Sequence, residues 1–157
     1  MAQSRPGGIS VEVDQSGKIE ATNVNTVLAF SGPITGTLLI SAVEKRAGLQ
    51  KLRGRGKSGR TWYLKVFAAA LYLLLREQLV RIDQIIVDIE YPGREAEILG
   101  MFLNFARKDF PDFSKNRVSF RAIGKKLSAH EAAIAVYREE RTLNLRARAS
   151  NLLRLIK

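Results

Sequence analysis

Two apolar runs in this chain each end in carboxylates and then meet a glycine: Ile9-Ser10-Val11-Glu12-Val13-Asp14 before Gln15-Ser16-Gly17, and Ile85-Ile86-Val87-Asp88-Ile89-Glu90 before Tyr91-Pro92-Gly93. The chain around them is basic, with 26 Lys plus Arg against 15 Asp plus Glu and a net charge of +11. Carboxylates facing a polyanion repel it unless a divalent cation stands between them. Mg²⁺ is commonly held by one or two carboxylates together with phosphate oxygens. Acids at strand ends in a cationic chain therefore point to metal-assisted phosphodiester chemistry, with Mg²⁺ or Mn²⁺ as the ion and the basic remainder holding nucleic acid. The chain has no cysteine and a single histidine, His130. Disulfides, zinc ribbons, thiol nucleophiles and His-rich zinc sites are thereby excluded, so any metal is hard and oxygen-bound.

Each candidate has a plainer reading beside the chemical one. Asp14 before Gln-Ser-Gly also suits a hairpin turn in which the side chain bonds backbone two residues on. Glu90 before Tyr-Pro-Gly also suits a solvated strand end. Asp88 lies on the same side of its strand as Glu90, because side chains alternate with period two, so either can face a metal and Glu90 is favoured. His130 falls in the first turn of a predicted last helix, where the helix dipole keeps the imidazole neutral and able to bind a metal or take a proton from water. Ser128-Ala129-His130-Glu131 has the capping-box pattern, and for Glu131 that role is favoured over metal binding.

Between Lys45 and Arg60 stand seven basic residues (Lys45, Arg46, Lys51, Arg53, Arg55, Lys57, Arg60), no acid, and interspersed glycines. This stretch reads as a mobile cationic loop able to grip phosphates, helped by Lys125 and Lys126 before the last helix. Gly56-Lys57-Ser58 matches the end of a phosphate-binding P-loop, but the position five residues before Gly56 is Lys51 rather than glycine, and a nucleotide-triphosphatase site is rejected. Trp62 and Tyr63, and the phenylalanines from Phe102 to Phe113, are assigned to packing.

The elements needed to position these residues follow from periodicity. A strand over Ile9 to Asp14 turns at Gly17 and returns over Lys18 to Thr22, and a third strand covers Thr26 to Phe30. Within Ile34 to Ala47, Leu38-Leu39-Ile40 suits a strand and Ser41 to Arg46 a helical turn or two; of these, a short helix is favoured. A central helix runs from Thr61 to Leu79, with apolar residues nearly all round. A fourth strand ends at Glu90, a helix covers Arg94 to Lys108, a last strand covers Val118 to Ala122, and a final helix runs from about Ala129 to Ala149. The expected fold is α/β, a mixed five-stranded sheet of three antiparallel strands followed by strands joined by helices packed on it.

That order of elements, with Asp14 on the first strand before a glycine-containing turn and Glu90 closing the fourth, resembles the ribonuclease H-like superfamily, most closely its RuvC-type Holliday-junction resolvases. His130 and Glu131 stand where that family's last helix brings further ligands to the metals. The resemblance extends from Ile9 to about Arg141. It implies a ribonuclease H-like domain and a divalent-metal-dependent endonuclease acting on branched DNA. Asp14, Glu90 and His130 would then be catalytic, and Asp14, Glu90, Asp88 and Glu131 would surround the metal. It also implies a homodimer, since two symmetric cuts are most simply made by two copies of one site. The chain departs from the resolvase pattern in having Ala133 three residues after His130 and a later glycine in the first turn. Two alternatives use the same fold. One is a ribonuclease on RNA-DNA hybrids, which needs another acid on the helix before the fourth strand, where Glu77 is the only acid between Thr61 and Val80. The other is a nucleic-acid-binding protein without catalysis.

At 157 residues the chain is expected to form one domain. Its longest apolar run, Val66 to Leu75, is half of the roughly 20 residues that span a bilayer, so no membrane partner is expected. Met1 to Gly8 lacks the apolar stretch of a signal peptide, which points to the cytoplasm.

Overall fold

The computed structural model describes residues 8–56, 59–123 and 145–156. Six strands form one mixed sheet: β1 (Ile9–Ser16), β2 (Thr26–Ser31), β3 (Gly36–Ile40), β4 (Ile82–Asp88), β5 (Val118–Arg121) and β6 (Leu145–Arg146). Their order across the sheet is β5-β4-β1-β2-β3-β6. β1, β2 and β3 pair antiparallel, whereas β4 lies parallel to both β1 and β5, and β6 parallel to β3. Among the described residues, four helices accompany the sheet: α1 (Ala42–Gly54), α2 (Trp62–Leu75), α3 (Glu95–Asp109) and α4 (Ala149–Ile156).

The sheet is built around strands with no solvated face. Every residue of β2 and β3 is buried, which accounts for their continuous apolar sequence rather than an alternating one. On β1 and β4 the alternation survives, with Val11, Val13, Ile85 and Val87 nearly inaccessible while Glu12, Ile86 and Asp88 are partly exposed. Against this sheet lies α2, packed on β2, β3, α3 and α4. Ten of its 14 residues are buried, so its near-uniform apolarity reflects a central position. Among the described residues, no helix is long and apolar enough to cross a membrane.

Several expectations from the sequence require correction. The strand beside β1 is β2 and not Lys18–Thr22. Residues 18–25 form successive turns whose carbonyls at Lys18 and Ala21 accept hydrogen bonds from the buried Lys45 ammonium, not from a strand partner. Of the readings of Ile34–Ala47, the strand at Leu38–Ile40 is the one found, within β3, and the helix begins only at Ala42 and continues to Gly54. Gly36 lets the Phe30 ring lie across it, where a Cβ would come within 2.5 Å, and Ser41 then caps α1 by accepting from the Glu44 amide at 3.2 Å. α2 gives way after Leu75 to a 3₁₀ turn over Arg76–Arg81, short of the expected Leu79. The sheet has six strands rather than five. Leu145–Arg146 extends beside β3, and α4 starts only at Ala149, so the long last helix does not run through residues 145–148. At that start Glu44 accepts from the Ala149 amide at 2.7 Å and Asn151 from the Arg148 amide at 2.9 Å.

Candidate metal centre

The strands carry three acids to one place. Val13 on β1 is in register with Val87 on β4, so Asp14 and Asp88, each one residue further along parallel neighbours, share the face opposite those valines. Two residues beyond Asp88 the chain has left the strand, and Glu90 turns back to the same spot. Carboxylate oxygens of Asp14, Asp88 and Glu90 all lie within 4.8 Å of one another. The glycines that end both runs sit in left-handed backbone, with φ of 76° at Gly17 and 82° at Gly93, which lets the chain turn sharply just past each acid.

This cluster crowds three carboxylates together. Asp14 is only 5 % exposed, and its Oδ1 accepts from the Gln15 amide at 2.8 Å. Asp88 Oδ1 accepts from the Ile123 amide at 2.8 Å, which fixes the carboxylate as the chain leaves β5. Glu90 bears the cost of the crowding: burial first, then the hydrogen bond and negative charge of Asp14, then those of Asp88, push its carboxyl up to about 8. A solvated strand end is therefore not what Glu90 is. Three clustered carboxylates, hard oxygen donors only, suit a hard divalent ion, for which they offer several ligand atoms and the negative charge. With a cation present, each carboxylate becomes an attractive partner instead of a repulsive one.

Of the residues anticipated for the site, Asp14, Asp88 and Glu90 converge, and Asp88 belongs to the cluster as fully as Glu90. His130 and Glu131 lie outside the described residues. Glu77 sits in the 3₁₀ turn leading into the start of β4, at the end of the sheet away from the acids, and adds nothing to the cluster.

The basic residues divide differently from expectation. Lys45 is not available to a ligand: it is 2 % exposed, and its ammonium donates to Lys18 O (3.0 Å), Ala21 O (2.7 Å) and Thr26 Oγ1 (2.9 Å). Burial lowers its pKa to about 8 against the opposing pull of Glu20, with Arg46 lowering it further. Lys45, Arg46, Lys51 and Arg53 lie on α1, not on a loop. Leu52 and Gly48 bury that helix's inner side, with Gly48 lying close to Ala149. Arg46 is exposed but its guanidinium donates to Thr22 O at 2.9 Å. Lys51, Arg53, Arg55 and Arg60 are exposed at the end of α1 and just beyond it. Lys57, Lys125 and Lys126 lie outside the described residues.

Sequence reasoning passed over Tyr91, taken only as part of a turn. Its ring is buried among Tyr63 and Phe67, with centroids 5.2 and 5.3 Å away. Its hydroxyl accepts from Gln15 Nε2 and the Ile19 amide, both at 3.4 Å, and donates to Glu20 Oε1 at 3.3 Å. The available signal was its place directly after Glu90, as Gln15 directly follows Asp14.

Comparison of the chain with protein-family models, curated proteins and solved structures returned no match.

Proposed function

We propose that this protein is a divalent-metal-dependent nuclease of ribonuclease H-like architecture, acting on structured DNA such as branched junctions. The observation that carries this reading is the meeting of Asp14, Asp88 and Glu90, from β1 and from the end of β4, with carboxylate oxygens within 4.8 Å. In support, five of the six strands run β5-β4-β1-β2-β3, with β1, β2 and β3 antiparallel and β4 and β5 parallel to β1, which sets the acid of β1 beside those following β4; β6 adds a further strand beyond β3. Asp14, Asp88 and Glu90 would hold Mg²⁺ or Mn²⁺, which supplies Lewis-acid activation of water and neutralises charge at the leaving oxygen. The protein's own part is to fix the three carboxylates: Asp14 by its place within β1, Asp88 through the Ile123 amide, and Glu90 through the turn at Gly93. The exposed cations at the end of α1 and beyond, Lys51, Arg53, Arg55 and Arg60, supply phosphate contacts. A homodimer follows if two symmetric cuts are made.

The test is cleavage of a four-way junction, a linear duplex and an RNA-DNA hybrid side by side, with and without Mg²⁺ or Mn²⁺. Cleavage is expected to need the ion and to favour the junction. Asp14→Asn is expected to abolish cutting while preserving or improving binding, because it removes both a ligand and a repulsive charge. Wild-type cutting by that variant would refute the assignment. Binding of all three substrates with no cutting under any ion would mean a binding protein rather than a nuclease.

A further inference from the structure

We propose that Tyr91 is a positioning residue for the metal centre, its hydroxyl setting the spacing between Asp14 and Glu90; this rests on the metal-binding reading above. Tyr91 immediately follows Glu90, and the first partner of its hydroxyl, Gln15, immediately follows Asp14. A single oxygen thus stands one residue away from two acids that are remote in sequence. The phenol's capacity is fully used, since it has one donor and two acceptor positions. It donates to Glu20 Oε1 and accepts from Gln15 Nε2 and the Ile19 amide. The two groups that it accepts from bracket the turn at Gly17, so the hydroxyl ties that turn to the one after β4.

Packing alone does not account for a tyrosine here. Tyr91 is 6 % exposed and packed in tilted and edge-to-face contact with two rings, a setting that phenylalanine fills equally well without bringing a polar group out of water. What the hydroxyl adds is a link between two turns. Groups bonded directly to metal ligands commonly change affinity by roughly 10- to 100-fold when lost, and Tyr91, which acts one residue further out, is expected at the low end of that range.

The experiment is Mn²⁺ binding, followed by calorimetry and by the electron paramagnetic resonance signal of free ion, on full-length wild type, Tyr91→Phe, Glu20→Ala, Glu20→Gln and Tyr63→Phe, each with its melting temperature. Tyr91→Phe keeps the ring and is expected to bind Mn²⁺ about tenfold more weakly. Glu20→Ala, which loosens the same hydroxyl without touching the packed ring, is expected to weaken binding in the same direction. Glu20→Gln keeps an acceptor and Tyr63→Phe removes a hydroxyl from the neighbouring ring; both are expected to bind as wild type. Wild-type affinity in both Tyr91→Phe and Glu20→Ala, whatever their melting temperatures, overturns the inference while leaving the metal centre standing. A wild-type protein that holds no Mn²⁺ overturns the metal centre itself, and this inference with it.

Discussion

Glu90 and Asp14 bring carboxylate oxygens within 4.8 Å of each other, although one follows the fourth strand of the sheet and the other lies within the first. Such a pair holds together when one partner keeps a proton or when a cation takes the proton's place. With Glu90 pushed up to about 8, a cation taken up at this site near neutral pH would displace a proton.

Metal affinity should consequently depend on pH. With Glu90 pushed up to about 8, the protonated site competes against the ion below that pH and ceases to do so above it. Mn²⁺ affinity is expected to rise by about tenfold per pH unit over the lower part of this range and to level off above about 8. Calorimetry in two buffers of different ionisation enthalpy should record proton release close to one per ion at pH 7. Affinity that does not change between pH 6 and 8 would contradict the linked proton.

The same carboxyl sets a stability trend in the metal-free protein. Its folded pKa of about 8 lies above the ordinary value of 4.5, so the folded state binds more protons than the unfolded one between those values. By linkage, this stability contribution is fully present below about pH 4.5 and is lost as pH rises through 8. Glu90→Gln should flatten the trend and, without metal, stabilise the protein at pH 8.5 by about 1 kcal/mol, a modest gain because the partly exposed side chain is screened by water. Urea titrations of both proteins at pH 5 and pH 8.5 measure this directly.

Lys45 should behave as an interior residue despite its charge. Replacing it by methionine keeps the length of the side chain but deprives two carbonyls and a hydroxyl of their shared donor. Destabilisation of about 2–4 kcal/mol is expected, set by the buried groups left unsatisfied. Affinity for DNA measured well below the melting temperature should not change. A loss of DNA affinity with unchanged stability would reverse this assignment.

The surface cations carry the complementary expectation. Lys51, Arg53, Arg55 and Arg60 are exposed, so each that meets a phosphate should add about 0.9 to the slope of log affinity against log salt on duplex DNA. Substituting all four by alanine should lower that slope by about 2 or more. An unchanged slope would place the phosphate contacts elsewhere on the protein.

Much of the sheet was legible because burial writes itself into strand sequence. The alternation of Val11 and Val13 with Ser10 and Glu12, and the unbroken Thr26–Phe30 run, each correspond to a strand with the matching exposure, and the alternation stops at the buried Asp14. The acids were legible as strand-end carboxylates in a basic chain, whereas their convergence depends on the pairing of β1 with β4. Less visible were features set by tertiary contacts. Nothing local marks Lys45 as buried, because its partners come from residues 18–26. The cationic segment was read by its charges, yet its first part is a helix seated by the buried Lys45, Gly48 and Leu52. β6 is two residues long and is defined by pairing with β3, a relationship that no periodicity can announce. Tyr91 escaped notice because its work is done by one oxygen, and hydropathy patterns do not register a single atom.

Asp88 accepts the amide proton of Ile123 with the same carboxylate that borders the acid cluster. Ion loading at that carboxylate redistributes its electron density, and the nuclear shielding of this one backbone proton must respond. Ile123 is thus an intrinsic reporter: its amide resonance should move during a Mg²⁺ titration and stay in place when Asp88→Ala has removed the acceptor. The occupancy of the centre can in this way be followed by spectroscopy in the absence of any nucleic acid.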